Sequence, residues 1–268
     1  MSAFLDAALE IAHGAAAILR EGRGHAEQVD FKGEVDLVTE WDRRSENYIL
    51  SGLRSAFPDH AMDGEESGFD HVASDYVWAV DPVDGTTNFA HGLPVFAVSI
   101  ALLHLGRPIV GVVVDPVRDE FYTAEAGAGA WLNGRPIHVS RTSDLAVSLL
   151  ATGFPYDLRT NPDNNISHFV NFALRSQAVR RIGSAALDLA WTAAGRFDGY
   201  WEYRLNSWDV CAGALIVAEA GGLVTDARGG DHYLDGSSII ASNGLIHEAM
   251  LQVLREGEQA PRPGANGA

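Results

Sequence analysis

The sequence predicts a mixed α/β protein, α+β in its first half, on three observations. Two long stretches carry apolar residues at helical spacing, at 2–21 and 40–56. Short apolar runs broken by proline follow them. The second half then alternates strand-like with helix-like segments. Helices gathered ahead of a run of strands suit a sheet covered on one face, and the later alternation implies a second α/β layer.

The first helix rests on Phe4, Leu5, Ala8, Leu9, Ala12, Ala15, Ala16 and Leu19, and without a basic leader it is not read as a signal peptide. Strand-like runs follow the second helix at 77–80, 95–103, 109–114 and 120–124, with Pro94, Pro108 and Pro116 marking the connections of a largely antiparallel sheet. The polar stretch at 141–144 divides the chain into an N-terminal half, 1–142, and a C-terminal half, 143–268. Beyond it, 147–151, 178–182 and 238–241 read as strands, and 163–176, 184–194, 208–220 and 244–255 as helices. Gly221 and Gly222 offer a C-cap to the third of these helices, residues 257–268 read as a mobile tail, and there is no internal repeat.

Composition narrows the function. A chain of 268 residues with 47% apolar content fills one large or two moderate cores, and no run reaches the length of a membrane span. Cys211 is the only cysteine, so no disulfide forms within the chain and a cytoplasmic location is the default; among Ala and Val it reads as a small core residue rather than a nucleophile. A formal charge of −17 argues against direct nucleic-acid binding, which needs clustered Lys and Arg. The same charge would repel a phosphate ester unless bound cations reversed the local field. The histidines form no HExxH pattern, and neither a Gly-x-Ser-x-Gly nor a Walker loop occurs.

The segment Asp81-Pro82-Val83-Asp84-Gly85-Thr86-Thr87-Asn88-Phe89 closes the apolar run at 77–80, so two carboxylates, a glycine and two hydroxyls crowd the end of a strand. Alone it has two readings. Asp-Gly is a hairpin turn signal and Pro82 suits a turn; equally, Asp81 and Asp84 supply oxygen ligands of the kind Mg²⁺ takes, and Gly85 lets backbone N–H groups approach a phosphate. A second acidic turn at Asp63-Gly64-Glu65-Glu66 and Asp209 at a helix start favour a shared cation.

Gly64-Glu65-Glu66, the 81–89 segment and Trp208-Asp209-Val210-Cys211-Ala212-Gly213, in this order, closely resemble the inositol monophosphatase family, particularly its bacterial members. The likeness extends through 36–42, 151–155 and 181–190 and covers roughly residues 4–255. It implies a layered αβαβα sandwich, of the type shared with fructose-1,6-bisphosphatase, with the metal site where the two halves meet. It also implies homodimers, sensitivity to lithium, and Mg²⁺-dependent hydrolysis of a phosphate monoester, myo-inositol 1-phosphate first, by water without a phosphoenzyme.

Carried over residue by residue, the resemblance makes Glu65, Asp81 and the Val83 carbonyl ligands of one Mg²⁺, and Asp81, Asp84 and Asp209 ligands of a second, with a third, weaker ion near Glu65. Gly85 and Thr86 would hold the phosphate, and Thr86, Asp42 and Glu65 would serve catalysis. Asp42 either orients Thr86 or is an ordinary residue of a first helical turn, and Thr87 either joins the site or only caps the turn. Lys32, the only lysine, either shapes the phosphate environment or is a solvated loop residue. Glu202 would accept hydrogen bonds from ring hydroxyls, with Gly183, Ser184 and Ala185 nearby. Arg180 and Arg181 correspond to residues near the dimer surface of bacterial relatives, or are exposed strand-end charges. Fructose-1,6-bisphosphatase, histidinol-phosphatase and 3′-phosphoadenosine nucleotide phosphatase are related alternatives, and a binding role in the transcription machinery is the non-enzymatic one.

Overall fold

In the computed structural model the described residues are 2–24, 29–31, 37–161 and 164–259. The chain opens with helix α1 (Ala3–Gly22), a two-stranded antiparallel ribbon of β1 (Val29–Phe31) and β2 (Leu37–Thr39), and helix α2 (Glu40–Ala56). Ser2 caps α1 by accepting the Leu5 N–H at 3.3 Å. At α2 the Thr39 hydroxyl accepts the Trp41 N–H at 3.1 Å while Asp42 takes the Thr39 N–H at 2.9 Å, a reciprocal capping box. Then come β3 (Ala61–Gly64), β4 (Gly68–Phe69), β5 (Tyr76–Asp84), the short helix α3 (Thr86–Ala90), β6 (Ala97–His104), β7 (Arg107–Asp115), β8 (Glu120–Glu125), β9 (Ala130–Leu132) and β10 (Arg135–Pro136). The eight strands form one sheet in the order β10-β9-β8-β7-β6-β5-β3-β4, antiparallel except where β3 runs parallel to β5.

The remainder contributes β11 (Leu149–Thr152), α4 (Ile166–Ala173), β12 (Ala178–Arg180), α5 (Ala185–Ala193), β13 (Gly199–Tyr203), α6 (Ser207–Glu219), β14 (Leu223–Thr225), β15 (Ser238–Ser242) and α7 (His247–Gln259). A five-stranded mixed sheet results, in the order β12-β11-β13-β15-β14.

Three apolar clusters define the layers. Val98, Ile100 and Leu102 of β6 face Leu5, Leu19, Ile49 and Leu53 of α1 and α2, whereas Ala97 and Ala101 on the opposite face meet α5 and α6. The other side of α5 and α6 packs on Ala151, Tyr200, Ile239 and Ala241 of the smaller sheet. Its outer face, through Trp201 and Ile240, is covered by Phe172 of α4 and Met250 and Leu254 of α7. The order is therefore helices, sheet, helices, sheet, helices. Because α6 is sheathed on both sides, its residues from Val210 to Val217 are all buried, which fits an apolar run with no polar stripe. It lies so near β7 that a Cβ on Gly111 would stand 2.8 Å from the Ala212 carbonyl.

Several expected boundaries move. Asp63 and Gly64, expected in an acidic turn, are the last residues of β3, held by pairing with Ala79 and Val80. The strand expected at 147–151 runs from Leu149 to Thr152, after a short 3-10 turn at Leu145–Val147. The helix expected at 163–176 is described only over Ile166–Ala173; Ser176 ends it by donating its hydroxyl to the Phe172 carbonyl. The helix expected from 244 begins at His247, because Gly244 sits at φ +80° and Asn243 accepts the Leu245 and Ile246 N–H groups. It reaches Gln259, past the expected start of the tail. Strands β13 and β14 were not anticipated; β13 takes its pairing from β11 and β15, which lie far from it in the chain. Among the described residues no helix is long and apolar enough to cross a membrane.

Candidate active site

Strand β5 ends in an irregularity that builds the site. Asp81 pairs with Ser99 and Asp84 with Ala97, so three steps on β5 oppose two on β6. Residues three apart in a regular strand point to opposite faces; one extra residue turns Asp84 to the same side as Asp81. The Val83 N–H donates to Asp81 Oδ1 at 2.9 Å and holds that carboxylate against the bulge. Gly85 follows at φ +98°, and a Cβ there would meet the Gly183 carbonyl at 2.9 Å and the Val95 carbonyl at 3.2 Å, so both its conformation and its surroundings demand glycine.

Two helix starts from the second half close on this strand end. Asp84 accepts the Ser184 hydroxyl at 2.5 Å and the Ala186 and Ala185 N–H groups at 2.7 and 3.2 Å, and so occupies the positive N-terminus of α5. Asp209, in the first turn of α6, accepts the Asn206 N–H at 2.7 Å. Ligand-capable oxygens of Asp81, Asp84 and Asp209 lie within 4.8 Å of one another. Glu65 stands beside Asp81 and hydrogen-bonds to it.

Burial pushes the carboxyls of Asp81, Asp84 and Asp209 above their ordinary range, and mutual repulsion adds to the effect: Glu65, Asp84 and Asp209 act on Asp81, and Asp84 and Glu65 on Asp209. At Asp84 the bonds from Ser184, Ala186 and Ala185 oppose the rise. Oxygen donors this close, all of one sign and short of water, fit a hard divalent cation. The cluster could hold a metal ion, which would relieve the repulsion.

Helix α2 backs the cluster. The Thr86 hydroxyl lies 2.9 Å from both Asp42 Oδ1 and the Val83 carbonyl, and the other Asp42 oxygen serves the capping box. Asp42 is thus both a helix-start residue and the partner of Thr86; it is fully buried and does not reach the cavity. Burial raises its carboxyl pKa, opposed by the bonds from Thr39 and Thr86. One turn on, Ser45 donates to the Pro82 carbonyl at 3.1 Å, and Glu46 accepts the Glu66 N–H at 2.8 Å. Ser45 and Glu46 escaped the sequence reading. Their signal is visible in retrospect as polar residues three and four positions after Asp42, on a face otherwise made of Trp41, Ile49 and Leu53.

The cavity over this cluster has a volume of about 290 Å³ and is lined by Glu65, Asp81, Val83, Asp84, Asp209, Gly85, Thr86 and Thr87 at one end. Gly183, Ser184, Ala185 and Glu202 line the other. All the predicted site residues therefore meet around one opening except Asp42, which stands behind Thr86, and Lys32, which lies outside the described residues. Glu202 is buried and accepts the Tyr200 hydroxyl at 2.6 Å. Burial pushes its carboxyl up to about 7, with Tyr200 and Arg181 pulling it down and Asp84 pushing it up.

Four further residues complete this end. Arg181 and Arg204 line the cavity, so Arg181 is more than a strand-end charge. Gly153 is required because any Cβ would overlap the Glu202 carboxylate. Asn88 donates to the Val95 and Ile182 carbonyls at 2.8 Å each and ties the strand-end loop to the segment before α5. A second cavity of about 630 Å³, lined by Leu5, Leu9, Phe121 and Trp131 beside α1, lacks any comparable gathering of carboxylates.

A sequence profile of the inositol monophosphatase family matches residues 1–259. The chain is similar to the Nus factor SuhB of Pseudomonas aeruginosa, 47% identical over 232 residues that span 85% of this chain and 86% of that protein. It is also similar to the inositol-1-monophosphatase of Synechocystis, 46% identical over 256 residues, 95% of this chain and 89% of that one. Among solved structures, the inositol monophosphatase of Anabaena superposes with a TM-score of 0.88 at 46% identity, over 98% of each chain.

Proposed function

The chain belongs to the inositol monophosphatase family, and on that premise we propose that it hydrolyses a phosphate monoester with Mg²⁺, myo-inositol 1-phosphate being the first substrate. The observation that carries this reading is the convergence of Asp81, Asp84 and Asp209 within 4.8 Å at the mouth of one cavity, with the Thr86 hydroxyl lining the same wall. Glu65, Asp81, the Val83 carbonyl, Asp84 and Asp209 are the ligands in this reading. When bound, two Mg²⁺ ions would supply an acidified water and charge neutralisation at the leaving oxygen.

The protein's own residues do the remainder. The N–H groups of Gly85 and Thr86 donate to the phosphate oxygens. The Thr86 hydroxyl accepts the proton of the attacking water as it passes its own to Asp42 Oδ1, 2.9 Å away. The water oxygen bonds to phosphorus, and the ester P–O bond breaks in line with it and leaves its electron pair on the ester oxygen. That oxygen takes a proton from solvent water while Asp42 returns its own through Thr86, so that ester and one water give alcohol and phosphate. Glu202, held by Tyr200 through one oxygen, offers the other to vicinal hydroxyls, and Gly183, Ser184 and Ala185 border the same space. No phosphoenzyme forms.

Phosphate release measured across inositol, fructose, histidinol and nucleotide phosphates, with and without Mg²⁺, tests the reading. Turnover should require the metal and favour the inositol ester. Asp81→Asn should lower kcat at least about a thousandfold, the scale of losing a central charged group in transition-state stabilisation; full turnover of that variant in saturating Mg²⁺ would sink the ligand assignment. Preference for a fructose, histidinol or nucleotide ester would move the substrate to a sister branch without moving the chemistry.

A second reading is favoured by the likeness to a Nus factor: association with a protein of the transcription machinery, beside or instead of hydrolysis. Capture of that machinery by Asp84→Asn, hydrolytically dead, as well as by the unaltered chain would support it. The proposal carries with it a homodimer and a cytoplasmic location.

A further inference from the structure

The acidic cluster has three ligands on regular elements and one, Glu65, on a turn between two strands. Asp81 and Asp84 are fixed by the strand, and Asp209 by a helix cap; the segment from Glu65 to Ser67 is the turn between Gly64 of β3 and Gly68 of β4, which pair with each other. Its backbone is also gripped at both ends. The Glu65 N–H donates to the Val80 carbonyl at 3.1 Å, and the next two N–H groups, of Glu66 and Ser67, converge on one oxygen of Glu46, at 2.8 and 3.4 Å. Glu46 is 4% exposed and reaches the turn from the second turn of α2. Gly64 makes room for it, since a Cβ there would overlap the same Glu46 oxygen.

Burying a carboxylate costs several kcal/mol unless hydrogen bonds compensate it. On one helix face Asp42 holds Thr86, Ser45 holds the Pro82 carbonyl and Glu46 holds the Glu65 turn. The three polar groups thus reach two segments that border the cavity on this side, the β5 end at 82–86 and the turn at 65–67. Ordinary core packing needs no such face; a frame for the cluster does.

We propose that Glu46 is a positioning residue that sets divalent-cation affinity by aiming Glu65, through the acceptor geometry of its carboxyl oxygen rather than through its charge. This rests on the ligand assignment proposed above. Removing the acceptor frees two amides and lets the Glu65 side chain swing away from Asp81. Outer partners of metal ligands typically change affinity by about 10–100-fold when lost.

The test is calorimetric titration of Mn²⁺ into the full chain without substrate, so that binding is read apart from turnover. Glu46→Gln keeps a carbonyl acceptor at the same reach and should bind Mn²⁺ within about threefold of the unaltered protein. Glu46→Asp keeps the charge but withdraws the acceptor by one methylene, and with Glu46→Ala should weaken binding by about tenfold or more. The reverse order, Asp normal and Gln weak, would overturn the proposal in favour of a purely electrostatic role.

Because Gln and Asp alone decide the order, the test survives a Glu46→Ala variant that does not fold. In a Glu65→Ala background, Glu46→Asp should cause no additional loss; an additive loss would overturn the route through Glu65. If Glu65→Ala leaves Mn²⁺ affinity intact, the ligand assignment itself fails. If Glu65→Ala weakens it and both Glu46 variants bind normally, only this inference fails.

Discussion

Replacing Glu202 by Gln should make the metal-free protein more stable at pH 8 relative to pH 5, with a size that follows from the burial of this one carboxyl. Its folded-state pKa is pushed up to about 7 from 4.5. Between those values the folded chain keeps a proton that the unfolded chain has already released, so the contribution of this group to stability is full below pH 4.5 and is lost as pH rises through 7. At about 1.4 kcal/mol per unit, the shift amounts to roughly 3 kcal/mol. The groups that face Glu202 are Tyr200 and Arg181, which favour its charge, and Asp84, which opposes it, while Asp188 is in turn pushed up by Glu202. Gln has nothing to titrate, so that loss disappears, and relief of Asp84 and Asp188 adds to the gain.

Urea unfolding in EDTA at pH 5 and pH 8 measures the difference of differences, in which any constant cost of the substitution cancels. About 0.8 kcal/mol of the loss is already present at pH 5, so the gap between variant and parent should shift towards the variant by about 2.5 kcal/mol across this range. A gap that stays within about 0.5 kcal/mol at the two pH values, the scatter of an ordinary surface change, would refute the placement of an ionisable Glu202 in a dry pocket.

Gly85→Ala should lower stability by about 2–4 kcal/mol, about 1–2 from the left-handed backbone and the rest from crowding against the Gly183 and Val95 carbonyls. A thermal scan should show a Tm drop of roughly 5–10 °C, and an unchanged Tm would mean that the turn at φ +98° is not populated. Divalent cations should stabilise the protein more at pH 8 than at pH 5. Asp81, Asp84 and Asp209 have raised pKa values, so their repulsion grows as pH rises above the ordinary carboxylate range, and a bound ion removes it. Saturating Mg²⁺ at about 100 times its Kd should add about 2.7 kcal/mol; thermal scans with Mg²⁺ and with EDTA at both pH values check the sign.

How legible the chain was varies with the range of the interaction. Helices α1, α5 and α6 and the strands β6 to β8 could be read because each carries its signal within its own span: apolar period, proline breaks, or a Gly-Gly stop such as Gly221, which sits at φ +86° after α6. Strand β13 and the last residues of β3 could not, since Gly199 to Tyr203 and Asp63 owe their extended form to partners far away in sequence. Among site residues, the acidic clusters stood out by composition. Ser45, Glu46, Tyr200 and Gly153 did not, because each acts on a neighbour that only folding brings near.

By itself, then, the sequence determined which residues carry charge, which segments are helix or strand, and the order of motifs that marks the family. The tertiary structure decided that Asp81 and Asp84 share a face, through a single extra residue in β5, and that Glu65, from the turn after the neighbouring strand β3, and Asp209, from the start of α6, join them. It also decided that α2 braces them and that Arg181 faces Glu202. The physical reason is that periodicity and composition record what a residue does within its own turn or strand, whereas Asp84 and Glu46 are aimed by backbone amides that lie from 20 to 102 positions away.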